Sequence, residues 1–396
     1  MKRLVSMILT GALVLSLAGC GNTNTASNVT ESKTVAVEAE SSEVVISDEA
    51  VAEAESVEET TAKRTFVDDA GVEMEVPEKI DRIVVGAWQM AAPLAVYLGG
   101  GEKIVGMAPA SLKAAENGLL GELYPELLDA ETEFYNGGEI NMEELLKLDP
   151  DIVIGVGEEQ AEAIRAAGIP ATVVSVSKWD YDVIETYSHW LETFDAIFGG
   201  SAYNGDVTEY SRQVQAAIQE KVSTIAEEDK KKVMILFSYS DATMTTSSKG
   251  FFGQSWCDLT GAINVGEGIE SLGSAAINME QVYEWNPDVI IITNFTKAQP
   301  EDLYNNTIGS DDWSSVNAVK NKQVYKMPLG IYRSYTPGAD TPVTLQWFAK
   351  AVYPELFEDV DVEQIARDYY KDFYGFELTD EQIENMFNPP SAASAN

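Results

Sequence analysis

Arg333 is one of only seven arginines in the chain and stands in "GIYRSYTPG", just after the strand-like run "QVYKMP" at 323–328. A planar fork of N–H donors at such a position suits a carboxylate, a phosphate-like oxyanion or an anionic chelate. Its alternative use is a salt bridge to one of the many surface acids. Other chemistries are poorly supplied. His189 is the only histidine and lies in "IETYSHWLETFDAIF", whose periodicity is that of an amphipathic helix with a surface or interface place for it. One imidazole excludes a bare zinc or manganese site built on several histidines. The chain has no G-x-S-x-G, no P-loop and no G-x-G-x-x-G. Binding rather than catalysis is therefore the expectation.

The elements around Arg333 are long enough for two domains with a core each, since the chain has 396 residues, 45% of them apolar. A formal charge of −39 argues against nucleic acid, whose phosphates require an excess of Lys and Arg. Lys2 and Arg3 precede a compact apolar segment from Leu4 to Leu17, too short for a spanning helix and shaped like an export signal. It ends in "LAGC" at 17–20, which looks like a bacterial lipobox with Cys20 as the lipidated first residue of the mature chain. The alternative is a plain secretory signal. Cys257 is the only other cysteine, so no intramolecular disulfide is open to the exported protein. Residues 21–64 carry ten acids against three bases, with no aromatic and no proline, and read as a disordered acidic tether over 20–64.

From Arg64 the pattern changes. "RTFVDDAGVEMEVP" at 64–77 reads as a hairpin around Asp68-Asp69-Ala70-Gly71. Short β-branched runs then alternate with helical stretches: "RIVVG" (82–86), "KIVGMA" (103–108), "DIVIG" (151–155) and "ATVVSVS" (171–177). Such alternation predicts a mostly parallel sheet covered by helices. Apolar residues at helical spacing over 201–226 predict one long helix, a rod of roughly 39 Å at ~1.5 Å per residue. The α/β pattern restarts with "KVMILFSYS" (232–240) and "DVIIITN" (288–294), and a capping box, Thr379 with Gln382, opens a last helix. The fold expected is α/β, two Rossmann-like lobes (65–200 and 227–388) joined by a single long α-helix (201–226), with a ligand cleft between them. A signal peptide (1–19) and the tether precede the lobes, and a frayed tail (389–396) follows.

One block is written twice. "INMEELLKLDPDIVIG" at 140–155 returns as "INMEQVYEWNPDVIIIT" at 277–293, an offset of 137, with seven identities over the fifteen positions from Ile140. Asn141 and Asn278 are placed to cap a helix in each copy, and Glu143 and Glu280 fall in its first turn, where the helix dipole favours an acid. Ligands of two-lobed α/β proteins bind at loops following the strands. Tyr239 and Tyr332 follow strand-like runs, and Tyr135 stands before the first copy. Each aromatic singly suits a core; as a group at loop starts they suit a large or flat ligand such as a metal chelate.

The lipobox, the repeated block, the linking helix, "GAINVGEG" (261–268) and "WFAKAVYPELF" (347–357) together resemble the helix-linked substrate-binding lipoproteins of ABC importers, from about Arg64 to Phe387. That resemblance implies an extracytoplasmic protein, tethered to the cell membrane through lipid on Cys20, that captures an iron complex of the ferric-siderophore type. It delivers the complex to an ABC permease and its ATPase. Cobalamin, haem or a metal oxyanion are the alternative ligands, and a lipoprotein enzyme or an adhesin using the same cleft are alternatives of other classes. It places Trp88 and Gln89 at the cleft rim beside Tyr135, Tyr239, Tyr332 and Arg333, and makes Glu143 and Glu280 the acids that dock on the permease. No cofactor, no metal held by protein side chains and no nucleic acid are implied, and the protein is expected to be a monomer. A second arginine in the front lobe, common among binders of anionic siderophores, is not evident here.

Overall fold

The turn at Asp68–Gly71 shows why the described chain starts as a hairpin. The Asp68 Oδ1 accepts the N–H groups of Ala70 and Val72, and Gly71 takes φ +81°. That geometry pairs β1 (Arg64–Val67) with β2 (Glu73–Val76) antiparallel. The computed structural model describes residues 64–76, 79–87, 89–201 and 206–394; the signal segment, Cys20, the tether and Trp88 lie outside them.

In the front lobe, β3 (Ile83–Val85), β4 (Ile104–Met107), β7 (Ile152–Val156) and β8 (Ala171–Val173) form a parallel sheet in the order β4-β3-β7-β8. β3 and β7 are buried at every position, as continuous apolar runs in a parallel sheet should be. A small hairpin, β5 (Tyr135–Asn136) with β6 (Glu139–Ile140), turns at Gly137-Gly138, both at positive φ. The helices are α1 (Ala91–Leu98), α2 (Pro109–Glu116), α3 (Leu119–Leu123), α4 (Met142–Lys147) and α5 (Glu158–Ala166).

Two antiparallel helices run between the cores. α6 (Val183–Phe198) puts Val183 and Ile184 into the back-lobe core and Tyr187, Trp190, Phe194 and Ile197 into the front one. α7 (Val207–Val222) returns, with Val207 in the front core and Val214, Ile218 and Val222 in the back core. α7 is the linking helix, and it is shorter than the 201–226 expected. Asp206 caps it by accepting the Glu209 N–H, and Ser223 is its C-cap, so it spans 16 residues, or ~24 Å.

The back-lobe sheet contains β9 (Lys232–Tyr239), β10 (Met244–Ser247), β11 (Ile263–Asn264), β12 (Ser274–Ala276), β13 (Val289–Ile292) and β14 (Val324–Lys326). The order is β12-β10-β9-β13-β14, with β11 also on β9; β10 and β12 run antiparallel. Around it lie α8 (Phe252–Thr260), α9 (Met279–Trp285), α10 (Pro300–Asn305), α11 (Asn317–Lys320) and α12 (Thr341–Val352).

The last two helices do not stay with the back lobe, as the 227–388 boundary would have them. α13 (Val362–Tyr374) and α14 (Asp380–Phe387) bury Ile365, Tyr369, Tyr370, Tyr374, Ile383 and Met386 in the front-lobe core. The expected capping box at Thr379 and Gln382 opens α14. The tail beyond is not simply frayed: Ser391–Ala393 make one helical turn with Ala393 fully buried.

Candidate functional site

The stretch after β14 doubles back on itself. Leu329 and Arg333 bridge antiparallel, and the Arg333 carbonyl accepts the N–H of Thr336 at 3.1 Å and its hydroxyl at 3.0 Å. The Oδ2 of Asp340 accepts the Ile331 N–H at 2.7 Å, so a Cβ at Gly330 would collide with that carboxylate. The turn presents Arg333 inward, 1% exposed, with its guanidinium carbon 4.7 Å from the Phe295 ring centroid and 5.8 Å from that of Tyr332. Nε and Nη2 have no hydrogen-bond acceptor among the described residues, and no acid pairs with the group. A buried cation left in this state is strongly unfavourable unless an anion meets it. The adjoining space, bordered by Ala92 and Pro93 of α1 and by Ser334 and Thr341, measures about 10 Å³, room for a single water. Larger partners require the surfaces to part. The Ser334 hydroxyl and the Asn294 carbonyl oxygen are likewise buried without partners.

A second buried cation supports the first. Lys326 Nζ donates to the carbonyls of Thr293, Thr296 and Ala298 at 2.6–2.9 Å. Burial, and then the Arg333 charge, bring its pKa down to about 7. Beside Arg333 stands an aromatic wall. Phe295 stacks on Phe237 at 4.9 Å, Phe251 meets Phe237 edge-on at 5.2 Å, and all three rings remain partly exposed. Behind them Tyr335 is fully buried, its hydroxyl paired with Ser247 and accepting the Gly253 N–H.

The front lobe contributes a groove of about 920 Å³ at the C-terminal ends of β3, β7 and β8. Gln89 and Tyr135 line it, and so does Gly155, at φ +73° and with Ala87 and Met90 leaving no space for a Cβ. Burial, then the neighbouring Glu139, raise the Tyr135 pKa.

A family model described as periplasmic binding protein matches residues 83–329. The chain belongs to that family. It is similar to the molybdate-binding protein MolA of Haemophilus influenzae, 26% identical over 340 residues that cover 79% of this chain and 91% of MolA. It is also similar to an uncharacterised ABC transporter substrate-binding lipoprotein, YvrC of Bacillus subtilis, 24% identical over 74% of this chain and 87% of that one. Among solved structures, a periplasmic solute-binding protein from Veillonella parvula superposes with a TM-score of 0.69 at 26% identity, covering 83% of this chain and 97% of the other. The protein is thus an extracytoplasmic solute-binding component of an ABC transporter and not an enzyme.

In this binding protein the expected ligand residues separate into groups. Gln89 and Tyr135 share the front groove, while Tyr332 and Arg333 share the buried turn. Tyr332 is 6% exposed, and burial pushes its pKa up to about 12. Tyr239 is not at the cleft. β9 runs on through it, and its hydroxyl donates to the Ile308 carbonyl and Asp311 and accepts from Trp313 Nε1, which fixes it in a core. Phe237, Phe251, Phe295 and Lys326 went unnoticed in the sequence because each sits in or beside a strand or helix run that reads as core. Glu143 and Glu280 both stand exposed in the first turns of α4 and α9, and Asn141 and Asn278 cap those helices.

Proposed function

We propose that this binding protein captures an anionic metal complex of the ferric-chelate kind and hands it to an ABC permease with its ATPase, while lipid on Cys20 tethers it to the membrane. One observation carries the anionic part: Arg333 is buried with two donors unpaired. The partly exposed rings of Phe237, Phe251 and Phe295, and a groove of about 920 Å³, support a ligand larger and flatter than a simple ion. A second reading, a compact oxyanion, is favoured by the close quarters around Arg333 and by the likeness to a molybdate-binding protein.

Titration of the purified protein with ferric citrate, a ferric catecholate, haem, cobalamin, molybdate and tungstate, followed by tryptophan fluorescence and calorimetry, separates the two. Saturable binding of a ferric complex with no response to molybdate supports the first reading, and the reverse supports the second. Silence toward every anion in the panel removes the role given to Arg333. The anchor is tested separately: Cys20→Ser should leave an uncleaved precursor or release the protein from membranes.

A further inference from the structure

Asp340 occupies the N-cap position of α12, yet its side chain makes no capping bond. It is turned back instead onto the Arg333 turn. Its Oδ2 accepts the Ile331 N–H at 2.7 Å, the Tyr332 N–H also bonds to the carboxylate, and Oδ1 accepts the hydroxyl of Tyr370 from α13. The side chain is buried and forms no ion pair among the described residues. We propose that Asp340 is a positioning residue for the binding site: its carboxylate holds the turn that presents Arg333 to an anion, and protonating it loosens that turn and weakens capture.

The chemistry of the acceptor explains the switch. An ionised carboxylate accepts at both oxygens, whereas the acid must donate its own proton. A proton on Oδ1 forces Tyr370 to reverse its bond, and a proton on Oδ2 removes the acceptor of Ile331. The titratable groups facing Asp340 are Tyr187 from α6 and Tyr369, Tyr370 and Tyr374 from α13, and burial raises the pKa of all four phenols. Arg333 stands in the same turn. Among these groups Asp340 alone changes state near pH 6. Lys326, beside Arg333, gains its charge as pH falls through about 7 and does so alike in wild type and in Asp340 variants. Burial pushes the Asp340 pKa up to about 6, against the donation from Tyr370 and the backbone N–H groups. Because the folded value lies above that of the unfolded chain, the ionised form costs stability at neutral pH. Asp340's contribution to stability thus rises as pH falls through about 6. The contributions of Asp340 to stability and to capture then move in opposite directions on acidification, which a purely structural pin would not produce.

This role rests on the reading of Arg333 as the anion's partner, and the test separates the two. Wild type, Asp340→Asn and Tyr370→Phe are titrated with micromolar molybdate and with ferric citrate at pH 5, 6 and 7. Thermal midpoints and hydrogen exchange of the 329–334 segment are read without ligand. Wild-type affinity for the probe it binds should exceed that of Asp340→Asn roughly tenfold at pH 7 and converge with it at pH 5, the Lys326 contribution being common to both. Asn mimics the protonated acid, so Asp340→Asn should lose exchange protection at pH 7. Tyr370→Phe, the milder change, should move the convergence to higher pH. Wild type that binds neither these probes nor any other anion of the panel above removes the Arg333 reading and this role with it. Binding with the same pH profile in wild type and Asp340→Asn, or equal exchange protection at pH 7, overturns the role of Asp340 alone.

Discussion

Asp151 and Asp288, 137 residues apart, make the same pair of contacts in the two lobes. Asp151 donates its backbone N–H to the Arg82 carbonyl at 2.8 Å and accepts the Arg82 N–H through Oδ2 at 2.9 Å. Asp288 donates to the Lys232 carbonyl at 2.8 Å and accepts the Lys232 N–H through Oδ2 at 3.0 Å. Arg82 and Lys232 stand at the entrances of β3 and β9, the strands next to the one each aspartate introduces. The repeated block therefore does two jobs at its two ends. Asn141 and Asn278 open a helix, and Asp151 and Asp288 set the register between neighbouring parallel strands.

Removing that register clamp should weaken the fold without touching the ligand. Asp151→Ala deletes an acceptor for both Asp81 and Arg82 N–H groups. Urea unfolding is expected to show a loss of about 1 kcal/mol, the usual net worth of such bonds near the surface. Probe affinity should stay as in wild type. An unchanged midpoint would mean that water replaces the carboxylate at no loss.

Arg333 should show the opposite balance. Arg333→Met keeps most of the packing against Phe295 and removes a buried, unpaired charge. The ligand-free variant should be at least as stable as wild type in thermal melts. Affinity for the bound anion should fall by about 1.5–3 kcal/mol, the range for a hydrogen bond to a charged group. Loss of stability with affinity intact would make the residue structural.

Lys326 supplies the alkaline counterpart. Burial and the Arg333 charge hold its pKa at about 7, far below its ordinary 10.5. A depressed lysine is bound by fewer protons in the folded than in the unfolded chain between those values, so its contribution to stability grows as pH rises through 7. Anion affinity runs the other way, because the neutral amine no longer adds to the positive field. An arriving anion raises the pKa again, and binding at pH 8 should take up a proton. Calorimetry in two buffers of different ionisation enthalpy reads this directly, and equal apparent enthalpies would exclude the coupling.

The sequence disclosed the fold wherever one signal dominated. β3 and β13 are unbroken β-branched runs, β7 and β9 are largely apolar ones, and all four are legible as buried parallel strands. β10 and β12, "MTTS" and "SAA", are polar or small, and their place on the sheet comes from pairing with β9 and with each other. The apolar faces of α13 and α14 were visible as faces, but periodicity does not say which core receives them. Within the site, Arg333 was legible because arginine is rare here and follows a strand. Asp340 was not, since an acid ahead of "TPVTLQWF" reads as a helix cap. Tyr239 misled because position after an apolar run does not tell which side of the sheet a ring enters.

Glu143 and Glu280 put one exposed carboxylate on each lobe. Both acids lie in the first turn of equivalent helices, α4 and α9, and the Glu143 carboxylate stands 3.6 Å from Lys147. Neither lines the groove or the Arg333 turn. We expect that each carboxylate pairs with a basic socket on the permease, one per lobe, in a charge-assisted contact that steers and orients docking. Changing both to Gln keeps their size and deletes both charges. Affinity for molybdate or ferric citrate should be that of wild type, and stability should drop by at most about 1 kcal/mol as two helix-dipole contacts weaken. Uptake by cells carrying the double variant should fall, and more steeply than with either single change, because the two contacts act on one rigid partner. High salt should depress wild-type docking in the same direction, since exposed pairs are screened within about a Debye length. Uptake at the wild-type rate in the double variant would leave these acids as helix-stabilising residues only.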